Sequence, residues 1–406
     1  MERRQRLVAS GLLVFVVAAA FLAGYGYGQR GAIAADAQAQ GFALLRDLLG
    51  YVQSNYVERN VNVPRLFHGA AKGMLEALDD PYTRFLEPRA YQAFREDAKG
   101  FFSGVGIFID LKESHLIVIS PIEGAPAHRA GLKTGDWITA INGTTTKDMS
   151  LQEAVSRIRG PAGTQVRLTI QRGGQSQVVE LTRARIQITS VQGSDLLEDD
   201  LKRQLRQERL GYVRILMFNE NTPTELDRML ASQVRGGIRG LIVDLRSNGG
   251  GLLDSAIKVS DRFVDTGVIV QVVDRSGRRS VEMATRGTGY SGPIVVLVNE
   301  FTASASEIMT GALQDHKAAT VVGMTTFGKG VIQTIFHLPG DAAAAVTTAK
   351  YLTPNGRDIN KRGLAPDVTA GEKLEGKSEA DLNRIRTQQM LKAIEVLKAR
   401  VVKRAS

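Results

Sequence analysis

The stretch Ile294-Val-Val-Leu-Val-Asn-Glu-Phe-Thr-Ala-Ser-Ala-Ser-Glu-Ile308 passes from an apolar run straight into a turn of small residues. Ile294–Val298 predicts a short buried strand. Thr302–Ser306 can cap a helix, and Glu307 falls three residues after Ser304, the spacing of a capping box. Ser304 or Ser306 therefore stands where a buried strand feeds a helix N-terminus. Backbone N–H groups converge there and favour a developing negative charge.

A serine hydroxyl becomes a nucleophile when a base takes its proton. The chain has five histidines, His68, His115, His128, His316 and His337, and none sits in a triad-like motif. Lys329 is the better base. It lies in Phe327-Gly-Lys-Gly330, where two glycines let the backbone pass close to other groups. A lysine acts as a base only when neutral, which requires burial without a carboxylate partner. Val321, Val322 and Val331 fit such burial, and Gln333 offers a neutral amide to hold the amine.

These residues resemble the carboxyl-terminal processing, or tail-specific, proteases, a family with a Ser/Lys dyad. The matching motifs are Ser304–Glu307, Ala312–Asp315 and Thr326–Gln333. The resemblance implies that Ser304 is the nucleophile, that Lys329 is the general base and that Gln333 orients it. The 25-residue separation of Ser304 and Lys329 agrees with the family. Asp80-Pro-Tyr-Thr-Arg-Phe-Leu86, Tyr351–Arg357 and Gly363–Val368 also match, so the likeness runs from about Gly41 to Thr369. Asp80–Leu86 is read as a packing segment. The family implies an α/β fold: a crotonase/ClpP-like core of stacked β-β-α units, an inserted PDZ domain and an N-terminal helical segment. It implies no metal or other cofactor, and dimer contacts through the N-terminal helices.

Leu241–Leu245 reads as a buried strand followed by Arg246-Ser-Asn-Gly-Gly-Gly-Leu-Leu-Asp254. A glycine run between strand and helix exposes backbone N–H groups. A phosphate loop fails here because no Gly-Lys-Ser/Thr follows. The family resemblance assigns an oxyanion donor to Gly250, with Gly249 the close alternative. It assigns the second donor to the N–H of Ala305.

Residues 100–184 resemble a PDZ domain. Gly104-Val105-Gly106-Ile107 precedes the alternating strand Ile107–Leu111, and Gly131–Gly143 carries the PDZ core signature. Leu151–Arg159 is the expected groove helix and Val166–Gln171 the expected last strand. The N–H groups of Gly104–Ile107 suit a terminal carboxylate, and an open strand edge accepts an added peptide strand. Ile107, Ile109, Ala154, Val155 and Ile158 are expected to form the apolar slot. Arg159 is the expected gating contact with the protease, since a guanidinium can fork between acceptors in one of two domain positions.

The outer parts complete the organisation: 1–40 anchor or signal segment, 41–99 helical region, 185–370 protease core, 371–406 C-terminal helix. Arg3, Arg4 and Arg6 precede 21 uncharged residues, Leu7–Tyr27, enough to span a bilayer with the following chain outside the cytoplasm. The expectation is an uncleaved anchor. The alternative is a cleaved signal peptide, for which Ala32-Ile-Ala34 and Ala35-Asp-Ala37 offer sites. Phe42, Leu44, Leu45, Leu48, Leu49 and Val52 recur at helical spacing. A second helix is expected over Leu66–Leu78, a polar connector over Arg185–Arg209, and strands at Gly211–Met217 and Ala344–Lys350. Helices are expected over Leu226–Val234 and Asp381–Arg404.

With no cysteine, disulfides and thiolate metal sites are excluded. The net charge of +10 comes without a nucleic-acid motif. The reading is a serine endopeptidase of the cell envelope that cleaves exported proteins near their C-termini. Its expected partners are unfolded or flexible protein C-termini, a second copy, an adaptor and a membrane. Two other classes compete: a catalytically silent PDZ scaffold, and a crotonase-type acyl-CoA enzyme.

Overall fold

The computed structural model describes residues 36–112 and 115–405. The expected membrane segment lies outside them. Among the described residues no helix is long and apolar enough to cross a membrane. The chain divides into a unit ending at Gly73 and a second unit from Met74 onward. The first carries helix α1 over 36–55 and most of α2, Val63–Glu76. Phe42, Leu44, Leu48 and Tyr51 of α1 are exposed.

The second unit begins with the short strand β1 (Arg84–Leu86), helix α3 (Pro88–Ala98) and β2 (Phe101–Gly104). A proline at N1 starts α3, where its missing N–H costs nothing. The PDZ domain follows: β3 (Ile107–Lys112), β4 (His115–Pro121), α4 (Pro126–Arg129), β5 (Trp137–Ile141), β6 (Thr144–Thr145), α5 (Leu151–Ile158), β7 (Gln165–Arg172) and β8 (Gln175–Thr182). Its sheet order is β3-β4-β5-β7-β8, with β6 on β5, so β3 is an edge. Ser150 caps α5 by accepting the Glu153 N–H at 3.2 Å. The domain's last strand is β8, not Val166–Gln171. The turn at Gly173 and Gly174, both at positive φ, makes the added hairpin. Strand β9 (Ala184–Gln187) leaves the domain antiparallel to the entering β2, Gly104 opposite Ala184 and Phe101 opposite Gln187.

The connector is more ordered than its charge predicts. It holds β10 (Val191–Gln192) and helix α6 (Asp199–Gln207), which buries Leu201 and Leu205 one turn apart. The core then runs β11 (Leu210–Ile215), α7 (Thr222–Arg235), β12 (Gly240–Asp244), α8 (Leu253–Ser260), β13 (Val268–Asp274), β14 (Arg279–Met283), β15 (Ile294–Val298), α9 (Ala305–Asp315), β16 (Ala319–Gly323), β17 (Val331–Leu338), β18 (Ala342–Leu352), β19 (Val368–Thr369) and α10 (Glu379–Ala405). Strands β11, β12, β15, β16 and β19 are parallel neighbours, and β10 closes one edge antiparallel.

Side chains alternate across this sheet, and both faces are covered. Leu241, Val243, Ile294, Val296 and Val321 share a core with α7, α8 and α9. Ile242, Val295, Leu297 and Val322 pack instead on Met390, Ile394 and Leu397 of α10. A second sheet, β1-β18-β13-β14 with β17 beside β18, stands against α9 and α3.

One buried ion pair fastens the loop after β12. Arg246 donates from Nε and Nη2 to both oxygens of Asp244 (2.9 and 2.6 Å), and its Nη1 reaches Arg386 O of α10 at 2.9 Å. Tyr212 Oη donates to Asp244 at 2.8 Å. Burial pushes the Asp244 carboxyl up, but the Arg246 charge and these donors hold it below the usual carboxylate range. Arg246→Ala strands that charge. We expect a loss of about 3–5 kcal/mol in denaturant unfolding, against about 1 kcal/mol for Tyr212→Phe.

Candidate active site

Ser304 is the residue on which the turn after β15 enters α9. Its backbone stands at φ 58° and ψ −119°. A non-glycine residue held there is strained, as at a sharp strand-to-helix turn that presents a nucleophile. Ser304 is half-buried and lines a cavity of about 520 Å³ together with Lys329, Gln333, Gly249, Gly250 and Ala305. Ser306 is fully buried, and its hydroxyl donates to Asn248 O at 3.0 Å.

The capping-box carboxylate does more than cap. Glu307 Oε2 accepts the N–H of Ser304 and of Lys329, both at 2.9 Å. Its Oε1 accepts the Gly328 N–H at 2.7 Å and the Thr326 hydroxyl at 2.5 Å. Burial raises the Glu307 pKa above its ordinary value, and these four donors hold it back. Three of the four can only donate, so the contacts fit the carboxylate form. From the other side, Tyr351 Oη lies 2.5 Å from Lys329 O and 3.1 Å from Ser304 O.

Lys329 is half-buried, and its Nζ lies 4.7 Å from the Tyr82 ring centroid. Among the described residues it has no ion pair. Desolvation lowers its pKa most; Arg84 adds to the lowering, and Asp80 and Glu307 oppose it. Gln333 lies beside a bulge between Ile332 and Gln333, a device that re-aims a side chain. It lines the cavity, but its amide nitrogen donates to Thr347 Oγ1 at 3.1 Å and makes no hydrogen bond to Lys329 here.

The oxyanion assignment needs a correction. The Gly250 N–H donates to Asn248 Oδ1 at 2.9 Å and is not free. The N–H of Gly249 and that of Ala305 have no protein acceptor among the described residues. Gly250 serves by lacking a side chain. A Cβ there would sit 2.8 Å from Ser304 Cβ and from Ala303 O, at φ +102°.

Around the PDZ loop, Gly104 ends β2, and Val105 and Gly106 are buried. Their carbonyls accept Ala127 N and Ile122 N at 2.9 Å, while their own N–H groups find no protein acceptor among the described residues. Ile107 opens the edge strand β3. Ala154 and Ile158 are buried in the domain core, so they do not form the expected slot. Helical spacing turns these two inward; Val155 is only partly buried, and Leu151 packs on the domain core as Ile107 and Ile109 do. Arg159 stacks over Phe102 at 4.8 Å and faces Asp97, a cavity residue whose pKa burial raises and Arg159 pulls back.

The Asp80–Leu86 segment is no mere packing element: Pro81, Tyr82 and Arg84 line the cavity. Nothing local marks this role. It is set by β1 pairing with β18, Arg84 opposite Ala345.

Comparison with known proteins gives the family. Residues 209–370 match the model of peptidase family S41, and residues 117–172 match a PDZ domain. The carboxy-terminal processing protease CtpA of Bacillus subtilis is 35% identical over 377 residues, 91% of this chain and 78% of that protein. The chain belongs to peptidase family S41. A carboxyl-terminal-processing protease of Synechocystis is 39% identical over 325 residues, 80% of this chain and 75% of its own length. A solved photosystem II D1 C-terminal processing protease is 32% identical, with a TM-score of 0.48, covering 88% of this chain and 97% of the other. Like its S41 relatives, the chain is a serine peptidase of the C-terminal processing type, and its PDZ domain binds peptide C-termini.

The glycine loop gives a direct test. Gly250→Ala is expected to cut turnover of an unfolded substrate more than about 100-fold, because the new Cβ displaces Ser304. Gly249→Ala, whose Cβ meets nothing within 4 Å, keeps its N–H and is far milder.

Proposed function

We propose that Ser304 and Lys329 carry the peptidase reaction, and that the PDZ domain selects the substrate by its free C-terminus. The strained Ser304 turn, opening into one cavity with a half-buried lysine and tied to it through Glu307, is the observation that supports this most. Lys329 Nζ takes the Ser304 proton as Oγ attacks the peptide carbonyl. The N–H groups of Ala305 and Gly249 receive the oxyanion; each such donor is worth about 3 kcal/mol in the transition state. The ammonium then protonates the leaving amine. Lys329, neutral again, activates the water that hydrolyses the acyl-enzyme. Gln333 lies on the wall beside this exchange and is proposed to orient the amine when substrate closes the site.

Tail reading fits the free N–H groups at Val105 and Gly106 and the open edge of β3. Gating through Arg159 is supported by its place between the end of α5 and Asp97 on the cavity wall. Exported proteins as substrates, an envelope location and a membrane anchor are proposed from the apolar Leu7–Tyr27. A homo-oligomer is supported by the exposed apolar residues of α1. An adaptor that delivers substrates belongs to the same proposal.

Ser304→Ala and Lys329→Ala are each expected to abolish cleavage without unfolding the protein, and Ser306→Ala to be far milder. Activity of the parent should rise with pH, because the reacting lysine is the deprotonated one. Near-parent turnover by Lys329→Ala would remove the dyad. An unfolded substrate with a free C-terminus should be cut much faster than its amidated form; equal rates rule out tail reading. Arg159→Ala should lose this advantage while retaining tail binding.

A further inference from the structure

The sheet that carries Gln333 also carries a cation that the dyad does not use. Pairing of β1 with β18, and of β18 with β17, places Arg84, Ala345 and Ile335 in one row across three strands. Directly opposed residues share a face, and the adjacent row on that face holds Thr347 and Gln333. Arg84, Ala345, Ile335 and Gln333 all line the catalytic cavity. The Arg84 side chain is exposed and makes no hydrogen bond or ion pair among the described residues. Two residues before it, Tyr82 covers Lys329 Nζ with its ring.

We propose that Arg84 is a positioning residue of the peptidase reaction: its unpaired guanidinium, on the cavity wall where the β1–β18 pairing sets its backbone, adds to burial in keeping Lys329 neutral and ready to take the serine proton. The inference rests on Lys329 being the base. A guanidinium stays charged at every working pH, so it repels a second cation without titrating itself. The groups facing Lys329 act in both directions. Arg84 disfavours its protonation, while Asp80 and Glu307 favour it. Both carboxylates are committed elsewhere. Asp80 accepts from Thr83 Oγ1 at 2.6 Å and Tyr82 N at 3.1 Å, and Glu307 accepts its four donors. These donors leave both carboxylates charged, and Arg84 is the cation that opposes them. Burial raises the Tyr82 pKa and leaves the phenol uncharged above the amine.

The test is the pH profile of kcat and KM on a peptide without acidic residues, for the parent, Arg84→Gln, Arg84→Met, Arg84→Lys and Lys329→Ala. Arg84→Gln and Arg84→Met should move the rising limb of kcat to higher pH. At pH 7 kcat should fall about three- to tenfold, meeting the parent at alkaline pH, with KM unchanged. Arg84→Lys should restore the parent profile. Two neutral variants guard against a folding defect in either one. A raised KM with an unmoved profile would make Arg84 a substrate-anion site and overturn the proposal. An equal loss at every pH would make it structural, which also overturns it. Turnover by Lys329→Ala would remove the dyad itself. Inactive Lys329→Ala with an unmoved Arg84→Gln profile defeats only the role of Arg84.

Discussion

The site depends on one buried carboxylate. Glu307 collects the N–H of Ser304 from the turn before α9 and the N–H groups of Gly328 and Lys329 from the loop before β17. Two segments 25 residues apart are thereby held on one pair of oxygens. Hydrogen bonds to a charged group contribute about 1.5–3 kcal/mol each, and losing one leaves a buried donor unsatisfied. This is also why a charged residue tolerates full burial there: three of its four donors come from fixed backbone. The charge stays fastened to the peptide groups, and the Lys329 amine remains unpaired.

The rest of the scaffold fixes what faces this clamp. The parallel sheet, buried on both faces, sets the C-terminal ends of β12 and β15 side by side, Asp244 opposite Leu297. Both critical loops leave from those ends. Arg246 ties the β12 loop to α10, and Asn248 folds its side chain onto Gly250 N, so the glycine run passes against Ser304. The second sheet supplies the opposite wall, with Arg84, Gln333 and Ile335 contributed by strands far apart in the chain.

What the sequence made legible follows from how local each signal is. Ile294–Val298 forms a strand with the expected bounds because five apolar residues in a row fit a sheet buried on both faces. The capping-box spacing placed Glu307 against the Ser304 N–H, but its hold on the lysine loop is tertiary. The connector hid helix α6 behind its charges, although Leu201 and Leu205 had the spacing of one buried face. The β13–β14 hairpin is absent from the expected elements although Val268–Val273 is a mostly apolar, β-branched run; its partner β14 is exposed throughout. The choice between Gly249 and Gly250 turned on the Asn248 side chain, which can bond its own backbone two residues on. Asp80–Arg84 reaches Lys329 only through long-range strand pairing, which no local pattern announces.

The most direct test of the Ser304–Lys329 assignment is to find the atom that reacts. A small fluorophosphonate traps an activated serine hydroxyl, and a short peptide with a free apolar C-terminus, present during labelling, engages the PDZ domain. After labelling and digestion, tandem mass spectrometry identifies the modified residue. The structure predicts one adduct, on Ser304, in the parent and none in Lys329→Ala. An adduct on Ser306 or elsewhere, or undiminished Ser304 labelling in Lys329→Ala, would contradict it.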